Sequence, residues 1–153
     1  VVAELGPRAD RKGLRLEIEC RGAVPESIQS DEQRFKQVLA ELVDNALRFT
    51  ETGSVRVVLN LEPTEDWREP VLRIEVIDTG GGISEDHVGW IFEPFYRLAE
   101  SGDERRPGLG LGLSRQLAQL LGGDIVVDTT PGLGSTFAFS LEVGNLEGVR
   151  MVG

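Results

Sequence analysis

Cysteine, histidine, lysine, positive charge and long apolar runs are all scarce in this chain, and each scarcity removes a class of explanation. The single cysteine, Cys20, rules out an intrachain disulfide. Its place in the alternation Leu14, Leu16, Ile18, Cys20 predicts a small core residue rather than a redox centre. The two lysines, Lys12 and Lys36, stand outside any Gly-Lys-Ser/Thr setting, which removes the Walker-type loop and the protein-kinase reading. No stretch approaches the ~20 apolar residues that cross a bilayer, and no basic-then-apolar signal segment opens the sequence. A cytosolic location is expected, with membrane attachment of a longer parent protein left open. A net charge of −10 and a pI near 4.6 argue against a nucleic-acid groove, which needs a concentrated basic face. The same acidity repels free nucleotide. Any nucleotide must arrive with a divalent cation and meet aimed backbone N–H groups or local positive charge.

With 153 residues, 40% of them hydrophobic, the chain suits one domain, 1–153, with a core over about residues 10–143 and a patternless tail at 144–153. Leu14 to Cys20 alternates like a strand with one buried face, and Pro25 to Ile28 reads as a short extended piece. Ser30-Asp31 caps a helix over Gln33 to Phe49, where Phe35, Val38, Leu39, Leu42, Val43, Ala46 and Leu47 recur at three- and four-residue steps. Ser54 to Leu61 and Val71 to Ile77 alternate as neighbouring antiparallel strands. A short helix follows Ser84 and runs to about Trp90. The stretch Leu98 to Pro107 is polar and aperiodic, a loop. Leu109 to Leu121 reads as a helix with Leu113, Leu117, Leu120 and Leu121 in its apolar stripe, stopped by Gly122-Gly123. Ile125 to Asp128 and Thr136 to Val143 are strands around a glycine turn. This order predicts an α/β two-layer sandwich, a mixed sheet with helices on one face.

Four polar or glycine-rich patches interrupt those segments in fixed order. Glu41, Asn45 and Arg48 lie along one helix face at i, i+4 and i+7. Such a face is either solvated surface or an oxygen ligand for Mg2+ beside a carboxylate and a phosphate-binding arginine. Asp78 ends a strand before Gly80-Gly81-Gly82 and serves either as a turn residue or as an acceptor for an amino group such as that of adenine. Gly108-Leu-Gly-Leu-Gly112 opens a helix, whose free N–H groups suit phosphate. Its Gly-x-Gly-x-Gly spacing and its approach through Glu104-Arg-Arg-Pro107 do not fit a dinucleotide fingerprint. Gly132-Leu-Gly-Ser-Thr136 closes the series on a hairpin.

In this order the motifs resemble the catalytic, ATP-binding domain of sensor histidine kinases, within the larger group shared with gyrase, Hsp90 and MutL ATPases. Glu41 to Thr50 is similar to the N box, Asp78 to Gly82 to the G1 box, Ile91 to Arg97 to the F box, and Gly108 to Gly112 to the G2 box. The resemblance covers residues 10–143 and implies a Bergerat ATP-binding fold with ATP and Mg2+ as cofactors. It implies that Asn45 holds Mg2+, with Glu41 a further candidate ligand and catalytic carboxylate, and that Arg48 stands near the phosphates. Asp78 would take the adenine amino group with Thr136 behind it, and Phe49 would lie against the base. Gly80, Gly82, Ile83, Phe95, Arg97, Gly108, Leu109, Gly110, Leu111 and Gly112 would complete the nucleotide contacts. Residues 92–107 would form an ATP lid carrying Arg97, Arg105 and Arg106. Asp44 is expected on the helix surface.

The function implied is transfer of the γ-phosphoryl group to a histidine on a separate dimerisation domain, for relay to a response-regulator receiver domain. The only histidine here, His87, reads as a surface residue, so the acceptor is expected elsewhere. The isolated chain is expected to be a monomer and its parent a homodimer. The competing readings are a nucleotide-sensing module without phosphotransfer, and a serine kinase of the anti-sigma type or an ATPase of the same fold.

Overall fold

The computed structural model describes residues 1–93 and 110–153. It opens with a helix the sequence pattern did not reveal, α1 (Val2–Lys12), in which Gly6 and Pro7 interrupt the apolar set Val1, Val2, Leu5 and Ala9 that faces the core. Gly13 ends it at φ 68°, and the Leu14 N–H reaches back to the Ala9 carbonyl at 2.9 Å. After β1 (Arg15–Arg21) and the two-residue β2 (Val24–Pro25), Asp31 caps α2 (Glu32–Phe49) by accepting from the Arg34 N–H at 3.1 Å.

With β3 (Ser54–Glu62), β4 (Val71–Asp78), β5 (Ile125–Thr130) and β6 (Gly134–Glu142), β1 forms a five-stranded sheet in the order β1-β3-β4-β6-β5. Only the β1–β3 pair is parallel, so the sheet is mixed and mostly antiparallel. Helices α1, α2 and α4 (Gly110–Leu120) pack on one face, giving the α/β sandwich expected. The opposite face is charged, with Arg56 bonded to Glu19 and Arg21 to Glu75, each at 3.2 Å, and such exposed pairs contribute little.

Register sorts the inner face into rows. Ile74, Phe139 and Ile125 form one row, and Val76, Phe137 and Val127 the next. Full burial of such side chains contributes about 1.5–3 kcal/mol each. The row after these is polar: Asp78, Ser135 and Thr129. The functional site begins at that change.

Three expectations are corrected. Cys20 is exposed rather than a core residue, and Ile18 is 58% exposed, because β1 is an edge strand and only its start, at Leu14 and Leu16, is covered by helix. On α4, Leu113 (42%) and Leu120 (65%) are exposed. The buried stripe is Leu111, Ser114, Ala118 and Leu121, whose two small members disguise a regular three- and four-residue spacing. The tail is structured. β7 (Met151–Val152) pairs antiparallel with β2, the Glu26 N–H reaches the Arg150 carbonyl at 2.8 Å, and Leu146 packs against the core.

Candidate functional site

A cavity of about 480 Å3, the size of a small-molecule site, opens where the polar row of the sheet meets the C-terminal half of α2. Asn45 and Phe49 line it from α2, one turn apart. Asp78 enters from β4, Gly81, Gly82, Ile83 and Ser84 from the loop that follows, and His87 from α3 (Glu85–Val88). Pro131, Ser135 and Phe137 complete the lining.

Asp78 is 7% exposed. Burial pushes its carboxyl above the usual carboxylate range, and hydrogen bonds from the backbone N–H groups of Gly80 and Ser135 pull it partly back. The Gly80 bond to Oδ1 is 2.9 Å long. These donors fix the carboxylate's direction and leave lone pairs for a ligand amino group.

Thr129 joins this group to the loop. Its Oγ1 accepts from the Ile83 N–H at 2.8 Å and lies 2.8 Å from Ser135 Oγ and 3.3 Å from the Gly134 carbonyl. One hydroxyl therefore ties the loop bearing Ile83 to the strand bearing Ser135.

Two glycines let backbone approach backbone here. A Cβ on Gly80 would stand 2.6 Å from the Phe49 carbonyl oxygen. Gly82 has φ 72°, and a Cβ there would meet the Thr130 carbonyl oxygen.

A profile of the histidine kinase-, DNA gyrase B-, and HSP90-like ATPase family matches residues 30–145. The chain belongs to this family. It is 37% identical over 138 residues to two-component system protein A of Emericella nidulans, covering 88% of this chain and 20% of that protein. Against the sensor histidine kinase GacS of Pseudomonas protegens it is 40% identical over 143 residues, 91% of this chain and 15% of the other. The chain thus spans a fifth or less of these relatives. Among solved structures, full-length ShkA in complex with AMPPNP superposes with a TM-score of 0.77 at 30% identity, covering 94% of this chain and 28% of that one. Within the family, the resemblance to the catalytic ATP-binding domain of sensor histidine kinases holds.

Set against the boxes of this ATPase family, Asn45, Phe49, Asp78, Gly82 and Ile83 converge on the cavity, and Gly80 supports it from behind. Glu41 and Arg48 lie outside the lining. Arg48 Nη2 donates to Asp44 at 2.7 Å, and Asp44 also pairs with Arg8 of α1. Lys12 Nζ donates to the Leu47 carbonyl at 2.7 Å, a cation on the C-terminal end of α2. Gly110, Leu111 and Gly112 open α4 and are not part of the cavity lining, and a Cβ on Gly112 would stand 2.5 Å from the Phe92 carbonyl oxygen. Phe95, Arg97, Gly108 and Leu109 lie outside the described residues, as do Arg105, Arg106 and most of the expected lid.

Thr136 pairs with Ile77 and Asp128 on the opposite face of the sheet, and its neighbour Ser135 lines the cavity instead. The signal was present in the sequence: Phe137, Phe139 and Leu141 mark the inward positions of this strand, and Ser135 continues them. His87 is exposed, as expected, and also lines the cavity, four residues after Ile83. Among the described residues no group of three or more acidic, histidine or cysteine side chains could hold a metal, and no helix is long and apolar enough to cross a membrane.

Proposed function

We propose that this chain binds Mg-ATP in the cavity and transfers its γ-phosphoryl group to a histidine on a separate dimerisation domain, in a homodimeric parent that passes the phosphoryl group on to a receiver domain. The observation that carries this reading is the convergence of Asn45, Phe49, Asp78, Gly82 and Ile83 on one cavity. AMPPNP in the structurally similar ShkA and the kinase names of the relatives support it.

Each wall has its part. Asp78 accepts a hydrogen bond from the adenine amino group while the Gly80 and Ser135 amides hold it in direction. Phe49 and Ile83 supply apolar surface for the two faces of the base. Asn45, 8% exposed, lines the cavity and carries one amide oxygen that can serve as a ligand. One protein oxygen without a carboxylate cage suits Mg2+, which keeps waters and takes phosphate oxygens as its other ligands. When bound, Mg2+ neutralises phosphate charge. Glu41 stands one turn before Asn45 on α2 and is the candidate to orient the incoming imidazole. Arg48 reaches phosphate by exchanging its bond to Asp44, an ion-pair swap on one helix face.

The decisive experiment is calorimetric titration with ADP and AMPPNP, each with and without Mg2+, on the wild type and Asn45→Ala. Micromolar binding, about −8 kcal/mol, that needs Mg2+ and is lost in Asn45→Ala is expected. Absence of binding up to millimolar nucleotide rejects the reading. Addition of a histidine-bearing dimerisation domain should then yield acid-labile phosphate, which separates a kinase from a nucleotide sensor and from a serine kinase.

A further inference from the structure

The fold brings His87 to a place that its sequence context did not suggest. It stands three residues after Ser84 and four after Ile83, and all three line the cavity. Ser84 caps α3 by position, yet its side chain makes no capping hydrogen bond. The loop before α3 is tied to the sheet's polar row: the Ile83 N–H is held by Thr129, whose Oγ1 lies 2.8 Å from Ser135 Oγ, and the Gly132 N–H bonds the Gly81 carbonyl at 2.7 Å. Asn45, the candidate cation and phosphate contact, enters from α2, a different wall. Asp78 and His87 are the titratable side chains of the lining.

We infer that His87 is a nucleoside-contacting residue, whose imidazole hydrogen-bonds the base or sugar of the bound nucleotide from the α3 wall. The inference rests on the nucleotide reading above and assigns a contact that the family boxes do not contain. Chemistry favours it, because an imidazole presents a donor and an acceptor, and both base edges and ribose hydroxyls offer the matching partners. Position favours it as well, because the loop leading into α3 is bonded through the Ile83 N–H to Thr129, whose hydroxyl meets Ser135, the register partner of Asp78, whereas Asn45 enters from α2.

The test is titration of the whole chain with adenosine, ADP and AMPPNP, comparing wild type, His87→Ala, His87→Gln and Asn45→Ala. His87 is exposed enough that its truncation leaves the core untouched. The expected result is that His87→Ala weakens all three ligands by one common factor, about three- to tenfold. His87→Gln, which keeps a donor and an acceptor, should recover part of the loss. A loss that grows with the number of phosphates overturns the nucleoside placement. Unchanged affinities in His87→Ala, with nucleotide binding still sensitive to Asn45→Ala, overturn this inference while the nucleotide reading stands. A wild type that binds none of the three overturns both.

Discussion

The two main walls of the cavity are built differently. The sheet wall is held by its own bonds: Asp78, Ser135 and Thr129 share a row, and Gly80, Ile83 and Gly134 are tied to them through hydrogen bonds of 2.8–3.3 Å. On the helix wall Asn45 and Phe49 are carried by α2, and Arg48 on the same helix is engaged with Asp44. Under the proposed nucleotide reading, the base-recognition side is held by hydrogen bonds before a ligand arrives, whereas the phosphate side would complete itself by exchanging partners. Preorganisation of this kind lowers the ordering cost of binding on one side only.

The strongest way to break the sheet wall is Asp78→Asn. It should lower affinity for adenosine and for ADP alike by about 2–3 kcal/mol, some 30- to 150-fold, since a charged acceptor becomes a half-donor. Its effect on stability should run the other way with pH. The Asp78 carboxyl is raised in the folded state by burial. Its contribution is therefore fully present below its unfolded value near 3.9 and is lost as pH rises through the folded value. Thermal melts from pH 4 to pH 7 should show the wild type losing ground to Asp78→Asn as pH increases. A constant difference between the two curves would contradict the burial account.

Next in size is Thr129→Val, which removes the acceptor for the Ile83 N–H and should destabilise the chain by about 1–3 kcal/mol. Thr129→Ser keeps the hydroxyl and should stay near wild type in both melting and adenosine affinity. Equal damage from Val and Ser would mean that the methyl packing matters rather than the hydroxyl.

The smallest effect tests the helix wall. Asp44→Asn releases the charge that holds Arg48, so affinity for AMPPNP should rise about two- to fivefold, within the ~1 kcal/mol of a half-exposed ion pair. Adenosine affinity should not move. A change in adenosine instead would mean that the two walls are coupled.

The elements with a strong period were legible in the sequence, and those whose partner lies far along the chain were not. α2, β3 and β4 carry long apolar patterns and appear where expected. α1 was hidden by Gly6 and Pro7, and β7 by its length of two residues, since its pairing with β2 is a tertiary fact. The Cys20 error came from the same source, because alternation marks a face of a strand but does not say whether a helix covers it. At the site, Asn45 and Asp78 of the boxes line the cavity, while Thr136 falls on the opposite face of the strand and its neighbour Ser135 lines the cavity, a placement that strand alternation makes legible. His87 and Thr129 acquire their places only from how α3 and β5 fold back on the loop between them.

The contacts at Gly80 and Gly82 have a consequence for how such a site can change over generations. Main chain touches main chain there, at Phe49 and at Thr130, with no room for any side chain. The frame of the cavity is thus closed to gradual substitution, while the side chains of Phe49, partly exposed, and His87, exposed, are held by less. Drift in ligand preference is accordingly channelled into those two positions, and a lineage could retune what it binds without ever altering the shape of the place where it binds.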